Sequence, residues 1–318
     1  MTPDKMIYKP LQRSGEQCVS VSLNELLQLS FFAKKFSFKA LRAKSPLAGQ
    51  RNSRLLARGM EFAESRRYLA GDDIRNIDWR VTARTGRTHT KLFSAERERP
   101  VLLGVDMRSS MFFATNGVFK SIQATLMMGY TAWNASQSGD RLGGVIFDDK
   151  AVQEYRPALG KRGVLPFLNG LAAHTALPHK VKNNNSLAAS SMMDRAIASL
   201  GQIATPGSLV FLISDFRNFS PYAYNLLLKI LSTSDLYLCL VYDPIEAALP
   251  KNGYYHFTDG ISDHHINTYD KSNVEKYAQQ FLERRKKVEL LAQQPRVRFF
   301  ECRTNEDCFE VLMKNFGS

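Results

Sequence analysis

The hydrophobic positions of this chain fall into two different rhythms. Over residues 101–106 (V-L-L-G-V-D), 142–148 (L-G-G-V-I-F-D), 208–215 (S-L-V-F-L-I-S-D) and 235–243 (D-L-Y-L-C-L-V-Y-D), apolar residues follow one another with no polar alternation. Unbroken runs of this length mark strands buried on both faces. Between them the spacing relaxes to the three-to-four-residue period of helices, over 119–135, near 161–172 and 190–203, and over 221–232. A-V-Q-E-Y-R-P, at 151–157, is expected as an edge strand beside the second run. An irregular segment then precedes a charged helix over 271–292, a last strand at 296–302 (R-V-R-F-F-E-C) and a C-terminal helix. Buried strands alternating with helices predict an α/β fold with a doubly wound, mostly parallel sheet of Rossmann type.

Before residue 100 the pattern is different. Ser22 followed by Glu25 is a capping box, and Leu23, Leu26, Leu27 and Leu29 continue it, so a helix is expected over 23–43. The turn-rich S-P-L-A-G-Q-R-N-S-R ends it. From 54 to 99 the sequence reads as short segments and turns, with one strand at T-H-T-K-L-F. The chain therefore divides into a smaller, irregular, basic N-terminal region, 1–99, and an α/β domain, 100–318.

Composition changes this picture little. With 318 residues, 44% hydrophobic and 23% charged, the chain has the make-up of a soluble globular protein with a sizeable core. No apolar run reaches the roughly 18 residues of a membrane span. The first residues, M-T-P-D-K-M-I-Y-K-P, lack the apolar centre of a signal peptide, so a cytoplasmic protein is expected. Cys18, Cys239, Cys302 and Cys308 are scattered and read as reduced and structural. His174, His179, His264 and His265 fall in loop-like sequence and read as solvated. No H-E-x-x-H, G-x-S-x-G or phosphate-loop motif is present.

Charge adds more. The net charge is +13, and residues 30–99 hold 17 Lys/Arg against 7 Asp/Glu. Such a concentration points to an anionic partner (nucleic acid, an anionic membrane or an acidic protein face) or to arginines paired with acids elsewhere in the chain. Phe31, Phe32, Phe36 and Phe38 interleave with these cations, but their spacing is equally that of a helix core.

Two clusters are candidate sites. In doubly wound sheets, sites form beyond the carboxyl ends of the strands. Asp106, Asp148 and Asp215 end the first three buried strands, with Arg108, Ser109 and Ser110 just beyond the first. Acids and hydroxyls on one rim are the donors a hard cation such as Mg²⁺ takes. The second cluster is Y-L-A-G-D-D-I-R-N-I-D-W, residues 68–79. Gly71 suits a turn there, and Asp72 or Asp73 can accept backbone N–H groups. Arg75, Arg80 and Arg84 are placed to fork onto Asp72, Asp73 and Asp78, while Trp79 is large enough to anchor the segment against the other domain. No nucleophile accompanies them, so this reads as a structural clasp or a docking face ahead of a catalytic site.

The run G-M-E-F-A-E-S-R-R-Y-L-A-G-D-D-I-R-N-I-D-W-R-V-T-A-R-T-G-R-T-H-T-K-L-F-S-A-E-R-E-R-P, followed by a strand ending D-M-R-S-S-M, strongly resembles the DUF58 family. The resemblance is densest over residues 58–113. It implies a bacterial protein with a von Willebrand factor type A (vWA)-like domain, with a MoxR-type AAA+ ATPase as partner and client proteins beyond it. The rim constellation, with no recognisable nucleophile–base pair in the sequence, favours a protein-interaction role over an enzymatic one. The resemblance also implies a metal-ion-dependent adhesion site (MIDAS), which begins D-x-S-x-S and adds a threonine and an aspartate from later loops. Asp106 and Ser110 match its first and fifth positions, Asp215 the late aspartate, and Thr175 stands weakly for the threonine. The third position is Arg108, whose guanidinium cannot ligate a cation and can neutralise Asp106 or Asp215 instead. A degenerate MIDAS-like rim is therefore expected, with Mg²⁺ as the ion if it holds one. Nucleic-acid or anionic-membrane binding by the basic region is the alternative, and a metal-dependent hydrolase using Asp106, Asp148 and Asp215 comes last.

Overall fold

The computed structural model describes residues 15–36, 38, 60–69, 71–95, 99–176, 186–250, 253–258 and 263–317. Helix α1 (Leu23–Gln28) opens with the expected capping box: Ser22 Oγ accepts from the Glu25 N–H, and the Ser22 N–H donates to the Glu25 carboxylate. It stops far short of residue 43. Two three-residue 3₁₀ turns, Leu29–Phe31 and Ala33–Lys35, follow, and the chain is extended at Phe36. Tertiary hydrogen bonds replace the missing helix. The carbonyls of Leu26, Ala33 and Phe36 accept from Trp133 and Asn134 of a later helix, so they are satisfied without further turns.

Strand β1 (Met60–Arg67) pairs antiparallel with β2 (His89–Ala95), and helix α2 (Trp79–Thr85) lies between them in sequence. T-H-T-K-L-F contributes to β2 as its pattern predicts. The strand β1 was not legible, because its Glu–x–x–Glu–Ser–Arg–Arg sequence acquires strand character only from its partner.

The remaining elements are β3 (Pro100–Asp106), α3 (Lys120–Gln137), β4 (Arg141–Phe147), β5 (Val152–Leu159), α4 (Lys161–Ala176), α5 (Ser186–Ile203), β6 (Leu209–Ser214), α6 (Pro221–Leu231), β7 (Asp235–Tyr242), α7 (Pro244–Ala247), β8 (Tyr254–Thr258), β9 (Asp263–Asn267), α8 (Lys271–Ala292), β10 (Val297–Arg303) and α9 (Cys308–Phe316). Six strands form one sheet in the order β10-β7-β6-β3-β4-β5. All pair in parallel except β5, the antiparallel edge. Residues of α1, α3, α4 and α9 bury one face of the sheet, and those of α5, α6 and α8 the other. This is the doubly wound α/β architecture that the apolar runs predict.

Three expectations need correction. The antiparallel pair β8–β9 occupies part of the segment expected to be irregular, with Tyr254 opposite Asn267. His264 and His265 therefore lie on a strand and His174 on α4, not in loops; His179 falls outside the described residues. The chain also divides differently. Residues before 44 belong with those after 98 in one compact unit, and 44–98 form a second. Leu26, Leu29, Phe36 and Phe38 sit in the same buried cluster as β3 and α3, so two of the four interleaved phenylalanines are core and not a binding face. The four cysteines are free thiols, three of them buried.

Candidate functional site: the charged rim at β3 and β6

From β3 the chain crosses to β4 on one side of the sheet, and from β6 to β7 on the other, while β3 and β6 are neighbours. Their carboxyl ends thus flank the topological switch point, where doubly wound sheets open a crevice. Two strand-end acids meet there, both fully buried. Asp106 accepts from Arg108 Nη2 at 2.6 Å, Arg108 Nε at 2.9 Å, the Arg108 N–H at 3.0 Å and Ser214 Oγ at 2.6 Å. Arg108 is itself buried; its Nη1 donates to the Arg217 carbonyl at 3.2 Å, and its Nη2 lies 3.8 Å from Asp215. Asp215 accepts from Lys120 Nζ at 2.9 Å and the Arg217 N–H at 3.0 Å. The Lys120 ammonium, also fully buried, reaches Glu246 Oε1 at 2.5 Å. Glu246 Oε2 accepts from Arg284 Nη2 at 2.8 Å and lies 3.3 Å from Arg217 Nη2. The result is one continuous network of alternating charge, assembled from β3, α3, β6, α7 and α8.

Burial alone would favour the neutral forms of these groups, and pairing reverses that. Burial pushes the Asp215 carboxyl up, but Lys120, Arg217 and Arg108 outweigh it and hold it well below the ordinary carboxylate range. Glu246 is lowered in the same way, burial being overcome chiefly by Lys120 and Arg217. Burial disfavours the Arg108 cation, yet the Asp106 carboxylate beside it raises its pKa further. All the groups so described stay charged at neutral pH. None has the poised proton affinity of a general acid or base.

The sequence-predicted residues separate into those the fold brings together and those it does not. Asp106, Arg108 and Asp215 converge. Ser109 N donates to Asp149 Oδ2 at 2.7 Å, and Ser110 lines the cavity described below. Asp148 is not part of the rim: its Oδ1 accepts from the N–H groups of Lys150 and Ala151 in the β4–β5 turn, and Oδ2 lies 3.9 Å from His174. Its neighbour Asp149 takes the place expected of it. Thr175 is also elsewhere, buried at the end of α4 with its hydroxyl on the Val21 and Ala172 carbonyls. Sequence reasoning missed Lys120, Arg217, Glu246 and Arg284. Lys120 had a signal, as the one charged residue in the otherwise neutral run 119–137. Glu246 had a weaker one, since Asp243 ends β7 and α7 carries Glu246 back to the crevice. At that strand end Asp243 binds the Thr115 N–H and hydroxyl at 2.7 and 2.6 Å, and Thr304 Oγ1 at 2.8 Å.

The donor chemistry does not fit a Mg²⁺ ion. A hard cation needs carboxylate and hydroxyl oxygens converging on one open point. Here Arg108 and Ser214 hold the Asp106 oxygens, and the ammonium of Lys120 lies between Asp215 and Glu246. Among the described residues no three His, Cys, Asp or Glu side chains converge as metal ligands. Arg108 and Lys120 fill the electrostatic role that a bound cation would have.

A cavity of about 450 Å³ opens at this rim, with Arg108, Ser110, Asp149, Arg217, Glu246 and Arg284 in its wall. The β6–α6 loop that shapes it is strained: Phe216 and Asn218 have φ of 51° and 57°. A bulky side chain in the left-handed region costs about 1–2 kcal/mol. The Phe216 ring is fully buried and packs edge-on against Phe219 at 5.7 Å, which helps hold the conformation. Such strain often marks working surfaces.

The second cluster is organised locally. Gly71 has φ of 106°, the turn expected of it. Asp72 accepts from the Leu69 N–H at 2.9 Å and from Arg66 Nη2 at 2.7 Å, bonds that lower its pKa, the Leu69 N–H foremost. Asp73 caps the Arg75 N–H, and Asp78 caps α2 through the Val81 N–H. The expected forks from Arg75, Arg80 and Arg84 do not form, because Asp72 takes the Leu69 N–H and Arg66, Asp73 the Arg75 N–H, and Asp78 the Val81 N–H and the Ser65 hydroxyl. Arg84 lies instead in the last turn of α2, where a cation suits the helix dipole. Within its own unit Trp79 is 68% exposed, with Ile74 at 66% and Leu69 at 62% beside it in sequence.

Residues 64–287 match the family model described as "Protein of unknown function DUF58". Uncharacterised proteins of Mycobacterium bovis and Mycobacterium tuberculosis are 30% identical over 196 residues, 61% of this chain. The match spans 59% of the length of those curated relatives. Among solved structures, an aerotolerance-related membrane protein from Bacteroides fragilis superimposes with a TM-score of 0.42 at 12% identity, covering 68% of this chain and 96% of that one. The conserved hypothetical protein BatB from Bacteroides thetaiotaomicron gives 0.38 at 14% identity, covering 62% and 100%. No helix among the described residues is long and apolar enough to cross a membrane.

Proposed function

The chain belongs to the DUF58 family, and from that premise we propose that it is a non-enzymatic protein-interaction module. It presents the carboxyl rim of its sheet to a partner and works with a MoxR-type AAA+ ATPase in the maturation or remodelling of client proteins. One observation carries the non-enzymatic part. Asp106, Arg108, Lys120, Asp215 and Glu246 at the switch point are tied into a buried ionic network, and among the described residues no nucleophile–base pair stands beside the open cavity. The identity of the partner rests on the family resemblance. The test is direct binding of the purified full chain to a purified MoxR-type ATPase from the same organism, with pull-down from native cells beside it. A complex with Kd below roughly 10 μM is expected. No enrichment of any AAA+ ATPase, together with no binding of the purified pair, would end the proposal.

A second reading has an observation of its own. Trp79, Ile74 and Leu69 are exposed in the small unit, and among the described residues no carboxylate lies within ion-pair distance of Arg75, Arg80 or Arg84. Exposed apolar side chains among arginines suit an anionic membrane surface better than a nucleic acid. Binding of this kind weakens steeply with salt.

A further inference from the structure

Beyond the charged cavity a second, apolar hollow lies further along α8. Phe281 and Arg284 of α8 line the cavity. Lys287 and Leu290 follow at intervals of three residues, each about 60° further round the helix. They line a groove of about 230 Å³ against Phe219, Pro221 and Tyr224, nearly all of it apolar. Leu290 is half exposed there. A large apolar side chain at the edge of a groove, next to a charged cavity, is the composition of a binding surface with an apolar pocket and a polar rim.

The charges at the junction are only partly used. The Arg217 side chain is 47% exposed; its Nε and Nη2 stand 3.5 and 3.3 Å from Asp215 and Glu246. Those distances exceed the roughly 2.7–2.9 Å of a tight charge-assisted bond. Its Nη1 meets no acceptor among the described residues. Arg284 Nε is buried without a hydrogen-bond partner, and among the described residues no carboxylate pairs with Lys287. Against these, Asp149 and Glu246 stand in the cavity wall. A dianionic phosphate or a polyanion would meet both carboxylates, whereas one carboxylate group can bridge to Arg217 without crowding them. A nucleic-acid backbone also has nothing apolar to seat between Phe219, Tyr224 and Leu290.

Resting on the reading of the rim as an interaction surface, we propose that rim and groove form one docking site for an extended segment of a partner protein. That segment carries one acidic side chain, received by Arg217 beside Arg284 and Ser110, and one large apolar side chain, received by the groove. The spacing follows from α8. Arg284 and Leu290 are six residues apart, about 9 Å along the helix and about 120° around it, a span of roughly 13 Å that an extended chain covers in about four residues. Acidic and apolar anchors about four positions apart therefore fit.

The test uses the full chain and a fluorescein-labelled, end-blocked octapeptide of glycine and serine, with one glutamate and, four positions on, one leucine. Fluorescence anisotropy should show saturable binding that weakens about tenfold when glutamine replaces the glutamate, and about tenfold when serine replaces the leucine. Arg217→Gln should abolish the preference for glutamate over glutamine, and Leu290→Asp the preference for leucine over serine. Arg217 and Leu290 are each about half exposed, and cooperative thermal melts with wild-type circular dichroism would show the variants folded even where Arg217→Gln lowers the Tm. No binding up to millimolar peptide overturns the proposal. So does equal binding of the glutamine peptide, or inorganic phosphate competing as well as glutarate at matched ionic strength. Single-stranded DNA or anionic vesicles that displace the peptide through Arg217 would also overturn it. The two readings remain separable: a MoxR-type ATPase that binds equally well to wild type, Arg217→Gln and Leu290→Asp removes the docking site but leaves the interaction module standing. Peptide binding without ATPase binding does the reverse.

Discussion

The molecule contains two clusters of arginine and aspartate that look alike on paper and behave differently. At the rim, Asp106, Asp215 and Glu246 are buried and pair with Arg108, Lys120, Arg217 and Arg284, residues drawn from five elements. In the 68–79 segment, Asp72, Asp73 and Asp78 turn to N–H groups two or three residues away. Asp106, Arg108, Lys120, Asp215 and Glu246 are buried, so each of these charges must find an opposite charge or cost several kcal/mol. The segment lies near solvent, where an unpaired arginine costs almost nothing and a surface pair contributes little. A backbone N–H without a partner is a more pressing need there, and a nearby aspartate meets it first. The rim is thus held by long-range electrostatics, and the segment by local turn and cap geometry.

The comparison breaks most sharply at Lys120. Replacing it by methionine leaves Asp215 and Glu246 facing one another across an apolar side chain. Losing one partner of a buried pair costs about 3–5 kcal/mol, and a fall in Tm on the order of 10 °C is expected. A melt within two degrees of wild type would show that the rim tolerates unpaired charge as the surface segment does.

Arg108→Ser comes next. It restores the D-x-S-x-S pattern, removes the guanidinium from Asp106 and exposes carboxylates to one another. The variant should lose about 3 kcal/mol in EDTA and recover part of it in millimolar Mg²⁺ or Mn²⁺, which bind only the folded form. Wild type should show no such recovery. Equal metal-induced shifts in the two proteins would remove the assignment of Arg108 as a built-in cation.

Acid gives a third, smaller separation. In the folded chain Asp215 and Glu246 hold their carboxyls below the ordinary 3.8 and 4.5. As pH falls, the unfolded chain therefore takes up their protons first, and folding loses what these groups contribute. Stability should be level from pH 8 to about pH 5 and decline below it. Lys120→Met should change that slope, because without the ammonium, burial dominates and raises both carboxyls, so acid relieves the variant. Parallel pH profiles for wild type and Lys120→Met would contradict the network.

The smallest expected effect lies in the segment. Trp79→Ser should alter stability by less than about 0.5 kcal/mol, as an exposed substitution does. It should reduce sedimentation with anionic vesicles at low salt if the small unit serves as a membrane-facing surface. A destabilisation of several kcal/mol would show that Trp79 is covered in solution, and vesicle binding that ignores both salt and Trp79 would remove the second reading.

Much of the fold was legible because it depends on local pattern. Runs such as L-V-F-L-I-S can be buried only as central strands, and β3, β4, β6 and β7 lie within a residue or two of their apolar runs. The capping box at Ser22 was legible for the same reason, its partners being three residues apart. The end of α1 was not, since Trp133 and Asn134 decide it from more than 90 residues away. At the rim, the strand-end rule found Asp106 and Asp215 but chose Asp148 over Asp149. Successive residues at a strand end point in opposite directions, and only the turn to β5 fixes which one faces the crevice.

The sequence by itself determined the α/β sheet, the strand ends where a site must lie, the family signature, and the presence of an arginine where a metal-binding rim would carry a hydroxyl. Each follows from the period of the apolar residues or from neighbours within a few positions. Tertiary structure alone decided which charges meet. Lys120, Glu246 and Arg284 are 126 and 38 positions apart along the chain, and no local rule links them. Only the closing of α3, α7 and α8 over the switch point removes the water between them, and at that distance from solvent their charges had to be matched within the fold.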